Sequence, residues 1–158
     1  MMIPFTLNGS EVFIDANPGE RLVHVLRRFG LAGTKEGCLS GKCGSCMVLL
    51  NGNAVPSCII PIFQVKNTTI MTIEKFAETD AYADIVEGFR LAGVSMCGFC
   101  NTGKILTAHT LLEENIKPTK QDINNWFSGN LCRCTSIDDL YAGVRQAGLL
   151  RRKRDHGK

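Results

Sequence analysis

The apolar positions change period near the middle of the chain. At the start, Ile3, Phe5 and Leu7 alternate with other residues, and a second β-prone run, Glu11 to Ile14, follows Asn8-Gly9. Two such runs joined by Asn-Gly read as a β-hairpin, because both central turn residues must accept positive φ. Pro18-Gly19 breaks the chain. Glu20 to Phe29 then reads as a helix, with Leu22, Val25, Leu26 and Phe29 on one face and His24 off that stripe, at the surface. Gly30 and Gly33 end it. Met47 to Leu50 is a strand, Asn51-Gly52-Asn53 a turn, Ala54-Val55 a return, and the β-branched run Thr68 to Ile73 closes the sheet.

From Asp80 onward the pattern is helical. Asp80 to Ala92 carries Ile85, Phe89 and Ala92 on one side, and Asn101 to Glu114 carries Ile105, Ala108, Leu111 and Leu112. Thr119-Lys120-Gln121-Asp122 resembles a capping box ahead of a helix containing Ile123, Trp126 and Phe127, which are core residues by this reading. Thr135 or Ser136 caps a fourth helix, with Asp138 and Asp139 in its first turn, where the dipole favours them. The expectation is an α+β chain: a small mixed sheet crossed by one helix, then a four-helix domain, with the boundary near 75–80.

Between these elements lie the cysteines. Cys38, Cys43 and Cys46 are spaced C-x4-C-x2-C, Cys58 follows, and Gly37, Gly41 and Gly44 stand between or beside them. That is the plant-type ligand spacing for a 2Fe–2S cluster. The glycines let the loop turn sharply and bring backbone N–H groups up to the sulfurs. The second group is Cys97-Gly98-Phe99-Cys100, before the second helix of that half, and Cys132-Arg133-Cys134, before the fourth. Thiolates at two helix N-termini gain from unpaired N–H groups and the dipole. Zinc is an alternative here, although C-x-C lies outside its usual spacing. A redox dithiol is another, although it leaves Cys132 and Cys134 unexplained.

Composition narrows the class. The 158 residues suit one ordinary domain or two small ones, and 44% hydrophobic with 21% charged residues is ordinary for a globular protein. A net charge of +3 is too mild to argue for nucleic acid, and much of it lies in Arg151-Arg152-Lys153-Arg154, read as a solvated or frayed tail, with a docking arm for a partner subunit as the sharper alternative. No apolar run approaches the ~18 residues of a membrane span. The first residues lack the pattern of a signal peptide, so a cytoplasmic location is expected. Eight cysteines there point to metal or redox chemistry rather than disulfides, and they divide into two sets of four. His24, His109 and His156 are scattered, which disfavours a Rieske-type site. No nucleophile–base pair, paired-carboxylate site or Rossmann glycine pattern is present. No catalytic residue is expected.

Four segments carry a family resemblance: Gly33-Thr34-Lys35-Glu36-Gly37-Cys38, Gly41-Lys42-Cys43-Gly44-Ser45-Cys46, Cys97-Gly98-Phe99-Cys100 and Gly129-Asn130-Leu131-Cys132-Arg133-Cys134-Thr135. In that order they resemble the small iron–sulfur subunit of the molybdenum hydroxylases, the xanthine dehydrogenase and aldehyde oxidoreductase family. The resemblance implies a β-grasp, ferredoxin-like 2Fe–2S domain, here residues 1–77, and a helical 2Fe–2S domain, here 78–150; the charge run leaves a basic tail over 151–158. It implies that Cys38, Cys43, Cys46 and Cys58 hold one cluster and Cys97, Cys100, Cys132 and Cys134 the other. It further implies a large molybdopterin-binding subunit that oxidises substrate, and an FAD-binding subunit that receives the electrons one at a time. The second-group cluster would then lie nearest the pterin. A purine such as xanthine is the substrate expected on family frequency. An independent two-cluster ferredoxin is the alternative function, and a zinc-stabilised interaction module a third.

Six positions depart from the family pattern. Met96 stands where the family has Gln, Asn101, Thr102 and Lys104 fall in a segment that usually reads Thr-Pro-Gly-Met, and Ser136-Ile137 replaces Gly-Tyr. Lys104 reads either as a solvated lysine near a helix start or as a partner for an anionic group.

Overall fold

The computed structural model describes residues 1–157. The chain begins with the hairpin, β1 (Met2–Leu7) and β2 (Ser10–Asp15), paired antiparallel through the turn at Asn8 and Gly9, whose φ angles are 53° and 88°. Helix α1 (Leu22–Arg28) follows, then β3 (Met47–Leu50), β4 (Asn53–Pro56) and β5 (Thr69–Met71). The sheet has five strands in the order β2-β1-β5-β3-β4. Its central pair, β1 and β5, is parallel and the other neighbours are antiparallel. Thr68 to Ile73 thus joins the sheet only through residues 69–71. Ile73 instead opens a short helix, α2 (Ile73–Phe76).

Alternation along the strands gives the sheet two apolar faces. Ile3, Phe5, Leu7, Val48 and Ile70 pack against Leu22, Val25 and Leu26 of α1. Phe29 does not join that stripe. It caps the helix C-terminus and is 47% exposed, while Val23 is buried beside Cys46 and Cys58. The opposite face presents Met47 and Leu49 to the second half of the chain, where they share one core with Phe76, Phe89, Leu106, Leu111 and Val144. The two halves are therefore joined by a common apolar core.

The second half holds α3 (Asp80–Leu91), α4 (Asn101–Glu114), α5 (Lys120–Trp126) and α6 (Ile137–His156). The capping box of α5 forms as expected, Thr119 with Asp122. A second box, Ser136 with Asp139, makes Ser136 rather than Thr135 the cap of α6. α3 packs along α6, and α4 lies between them and strands β3 and β4. α4 is consequently buried on nearly all sides.

The basic run 151–154 corrects the frayed-tail expectation. It forms the last turns of α6, where cations suit the dipole. Arg151 is 5% exposed and donates to Glu113 Oε1 at 2.8 Å and His109 Nδ1 at 3.2 Å. Arg154 donates to Asp84 at 2.9 Å, tying α6 to α3.

Candidate metal centres

The first cysteine loop, 38–46, is held from α1. Arg21 donates to the Leu39 carbonyl at 2.8 Å, Arg27 to the Thr34 carbonyl at 2.9 Å, and His24 Nδ1 lies 3.0 Å from Glu36. His24 is at the surface as expected, yet it helps position the loop. Within the loop, backbone N–H groups aim at sulfur. Cys38 Sγ accepts from the amides of Lys42 at 3.2 Å and of Ser40 and Cys43 at 3.4 Å. Cys43 Sγ accepts from Cys38 at 3.4 Å, and Cys58 Sγ from Gly41 at 3.2 Å. Cys58 reaches the loop from a 3-10 turn after β4, where Ser57 donates to the Cys46 carbonyl at 2.7 Å. Cys46 and Cys58 are buried against Val23, while Cys38 is exposed.

The electrostatics differ across this group. The Ser40 side chain and amide, with the Lys42 amide, hold Cys38 down at about 5. Burial pushes Cys46 up to about 11. A bound metal centre would deprotonate the buried thiols, since metal ligation requires the thiolate form.

In the second group all four sulfurs meet. Cys100 Sγ is 3.3 Å from Cys132 Sγ, which is 3.3 Å from Cys134 Sγ, and Cys97 Sγ is 4.0 Å from Cys100 Sγ. Cys97, Cys100 and Cys134 also lie within 4.8 Å of one another. Cys100 immediately precedes α4, and Cys132 and Cys134 lead into α6. Burial drives Cys100 up to about 12. Burial acts the same way on Cys132, but the neighbouring Cys134 and Cys100 thiols and the nearby Lys104 ammonium outweigh it and bring that thiol to about 6. Cys97 and Cys134 are exposed.

Two lysines stand beside this group, one that the sequence does not single out and one for which it leaves two readings open. Lys35, which the sequence shows only as one member of a longer motif, donates to the carbonyls of Gly98 at 2.8 Å and Phe99 at 3.2 Å, with its ammonium 5.1 Å from the centre of the Phe99 ring. It thereby ties the approach to Cys38 to the Cys97–Cys100 loop. Lys104, for which a solvated position was one reading, is wholly buried. Its Nζ donates to Thr135 Oγ1 at 2.6 Å and lies 3.9 Å from Cys134 Sγ. Burial alone would lower its pKa, but the adjacent Cys132 and Cys100 sulfurs raise it above the ordinary lysine value.

The two groups back onto each other. A Cβ on Gly44, between Cys43 and Cys46, would clash with Asn130 Oδ1 and come 2.7 Å from the Gly129 carbonyl, and Gly44 has φ of 80°. A Cβ on Gly103, in α4, would clash with both Asn130 Oδ1 and the Gly44 carbonyl. Thr102 donates to the Gly33 carbonyl at 3.0 Å. Only glycine lets the loops approach this closely.

Both sites fit iron–sulfur chemistry in their donor sets: all-thiol, partly dry and, in the first, surrounded by backbone N–H groups directed at sulfur. Comparison with known proteins agrees. Residues 5–70 match the 2Fe-2S iron-sulfur cluster binding domain family and residues 72–145 the 2Fe-2S binding domain family, so the chain contains two 2Fe–2S domains. It is 42% identical to the nicotinate dehydrogenase small FeS subunit of Eubacterium barkeri, covering 92% of this chain and 93% of that one. It is 36% identical to the nicotine 6-hydroxylase small subunit of Paenarthrobacter nicotinovorans, over 92% and 88%. Among solved structures, a chain of quinoline 2-oxidoreductase from Pseudomonas putida 86 superposes with a TM-score of 0.82 at 34% identity, covering 96% of each chain. The aldehyde oxidoreductase of Desulfovibrio desulfuricans gives 0.84 at 33% identity, with this chain matching 17% of its length. The chain therefore belongs to the family of iron–sulfur subunits of the molybdenum hydroxylases, in which it is an electron-transfer component of an oxidoreductase complex.

Proposed function

We propose that Cys38, Cys43, Cys46 and Cys58 hold one 2Fe–2S cluster and Cys97, Cys100, Cys132 and Cys134 the other, within a β-grasp unit over 1–77 and a helical unit from 78 that extends past 150 to the end of α6 at His156. When bound, such clusters supply one-electron redox chemistry. Every other contribution belongs to the chain. Backbone N–H groups of the 38–43 loop offset thiolate charge, Val23 and the sheet exclude water from Cys46 and Cys58, and the helix starts at α4 and α6 favour the second set. One observation carries the reading of a relay rather than of two unrelated centres. The Leu131 amide, one residue before Cys132, donates to the Cys43 carbonyl at 3.0 Å. Main chain thus links a proposed ligand of one cluster to a proposed ligand of the other.

The partners proposed are a large molybdopterin-binding subunit and an FAD-binding subunit. Phe99 and Leu131, 56% and 63% exposed, are chain neighbours of Cys100 and Cys132 and present apolar surface suited to a protein partner. A cytoplasmic setting is proposed with them; among the described residues no helix is long and apolar enough to cross a membrane. Relatives that this chain matches along most of their length are named for nicotinate, nicotine and quinoline. We therefore favour a nitrogen-containing aromatic ring as the substrate of the complex, a class that includes the purines. The test is EPR of the dithionite-reduced complex with iron and molybdenum analysis. Two distinct 2Fe–2S signals, about four irons per chain and molybdenum in the complex are expected. A single signal, or zinc in place of iron, would sink the assignment.

A further inference from the structure

Lys104 occupies a position that is unfavourable for a cation on two counts. It lies in the first turn of α4, where the helix dipole disfavours positive charge, and its side chain is excluded from solvent. Among the described residues no carboxylate pairs with it. Its polar neighbours are Thr135 Oγ1 at 2.6 Å and Cys134 Sγ at 3.9 Å, and Thr135 is itself anchored toward the Ser95 carbonyl at 3.4 Å. A buried ammonium persists only where negative charge compensates for lost hydration. Here the available negative charge is that of the second thiolate group.

Among the described residues the first group has no equivalent. Lys42 is exposed, so its charge is screened by water, and the contacts to sulfur there come from backbone amides and from neutral serine hydroxyls such as Ser45 Oγ, 3.1 Å from Cys43 Sγ. The two cysteine groups are alike in ligand type, and among the described residues a desolvated cation stands beside the second alone.

We infer that Lys104 is a fixed counter-charge that raises the reduction potential of the cluster held by Cys97, Cys100, Cys132 and Cys134. This rests on the ligand assignment proposed above. The physical basis is charge. Reduction adds one electron to an already anionic centre, and a nearby desolvated cation stabilises the reduced form more than the oxidised one. The ammonium touches no substrate. It acts through the cluster, and it shifts one of the two potentials in this small protein independently of the other.

The experiment is EPR-monitored redox titration of the purified complex carrying Lys104→Met or Lys104→Gln. Methionine keeps length without charge, and glutamine also keeps a donor toward Thr135. Both variants are expected to lower the midpoint of the second cluster by at least tenfold in the reduced-to-oxidised ratio at fixed potential, about 59 mV for one electron. The first cluster, read in the same samples, is expected to stay unchanged. Unshifted midpoints in both variants would overturn the inference, as would a shift in Lys104→Met that Lys104→Gln restores, because hydrogen bonding and not charge would then be responsible. Loss of iron from the second site in both variants would also overturn it, by making Lys104 an assembly residue. A wild-type complex with one EPR signal would overturn the ligand assignment itself, which the variants alone do not address.

Discussion

The Leu131 amide and the Cys43 carbonyl are joined by a 3.0 Å hydrogen bond that crosses between the two cysteine groups. A path through covalent bonds and one short hydrogen bond couples two centres electronically better than a gap across loosely packed side chains. The bond also sets the spacing of the two loops mechanically, because neither end is a side chain that can change rotamer.

That spacing gives the first prediction. Gly103→Ala places a methyl against Asn130 and the Gly44 carbonyl, and Gly44→Ala adds backbone strain at positive φ to a similar clash. Overpacking of this kind costs about 1–3 kcal/mol, and strained φ of order 1 kcal/mol more. Gly44→Ala is therefore expected to lower the thermal midpoint further than Gly103→Ala, and to slow electron transfer between the two EPR-distinct centres. Wild-type behaviour of Gly44→Ala in both measurements would count against a tight seam.

The proposed ligand sets predict a clean separation by mutation. Cys132→Ser should abolish one EPR signal, leave the other, and reduce iron from about four to about two per chain. Cys46→Ser should remove the complementary signal. Retention of both signals in Cys132→Ser would reassign the second site.

His109 provides a pH dependence. The Arg151 guanidinium can only donate, so His109 Nδ1 must accept, which places the proton on Nε2. Burial, and then the charge of Arg151, hold the folded-state pKa below the ordinary value. The folded protein thus binds fewer protons here than the unfolded chain. The contribution to stability is fully present above the unfolded value, about 6.5, and declines as pH falls through the lowered folded value. His109→Asn, which keeps an acceptor near Nδ1, should flatten that part of the stability–pH curve. An unchanged curve would place the titration elsewhere.

Arg151 should matter through both its stem and its charge. Arg151→Ala is expected to cost about 2 kcal/mol by losing packing and charge-assisted hydrogen bonds. Glu113→Gln should cost about 1 kcal/mol or less, because Glu113 is 60% exposed. Thermal or urea unfolding gives the ranking. A larger effect for Glu113→Gln would mean that the ion pair dominates the packing.

Much of this was legible from residue spacing. The hairpin at Asn8-Gly9, the helix 101–114 and the Thr119/Asp122 box follow from local chemistry that tertiary contacts reinforced. The second cysteine group could be paired because both its pairs precede helices. What spacing did not encode was depth. Lys104 reads as polar at a helix start, yet α4 is buried on nearly all sides, so its pattern carries almost no amphipathic signal. Arg151–Arg154 read as a solvated run because their partners, Glu113, His109 and Asp84, lie on other elements far away in sequence. Phe29 fits the periodicity of α1 but falls on the capping residue, where the helix has already turned away from the sheet. Ile73 reads with the last strand because β-branching is shared by strands and by helix starts such as α2.

A seam made of main chain and glycine has a further consequence. Beside the shared apolar core, the groups that meet at the seam include an amide, carbonyls and positions without side chains, and drift in sequence elsewhere leaves these untouched. The outward rims, with Phe99 and Leu131 at one site and exposed Cys38 at the other, are made of side chains and are free to diverge. The molecule is in this sense a connector of fixed gauge with two adaptable plugs, able to serve new catalytic partners without rewiring its interior.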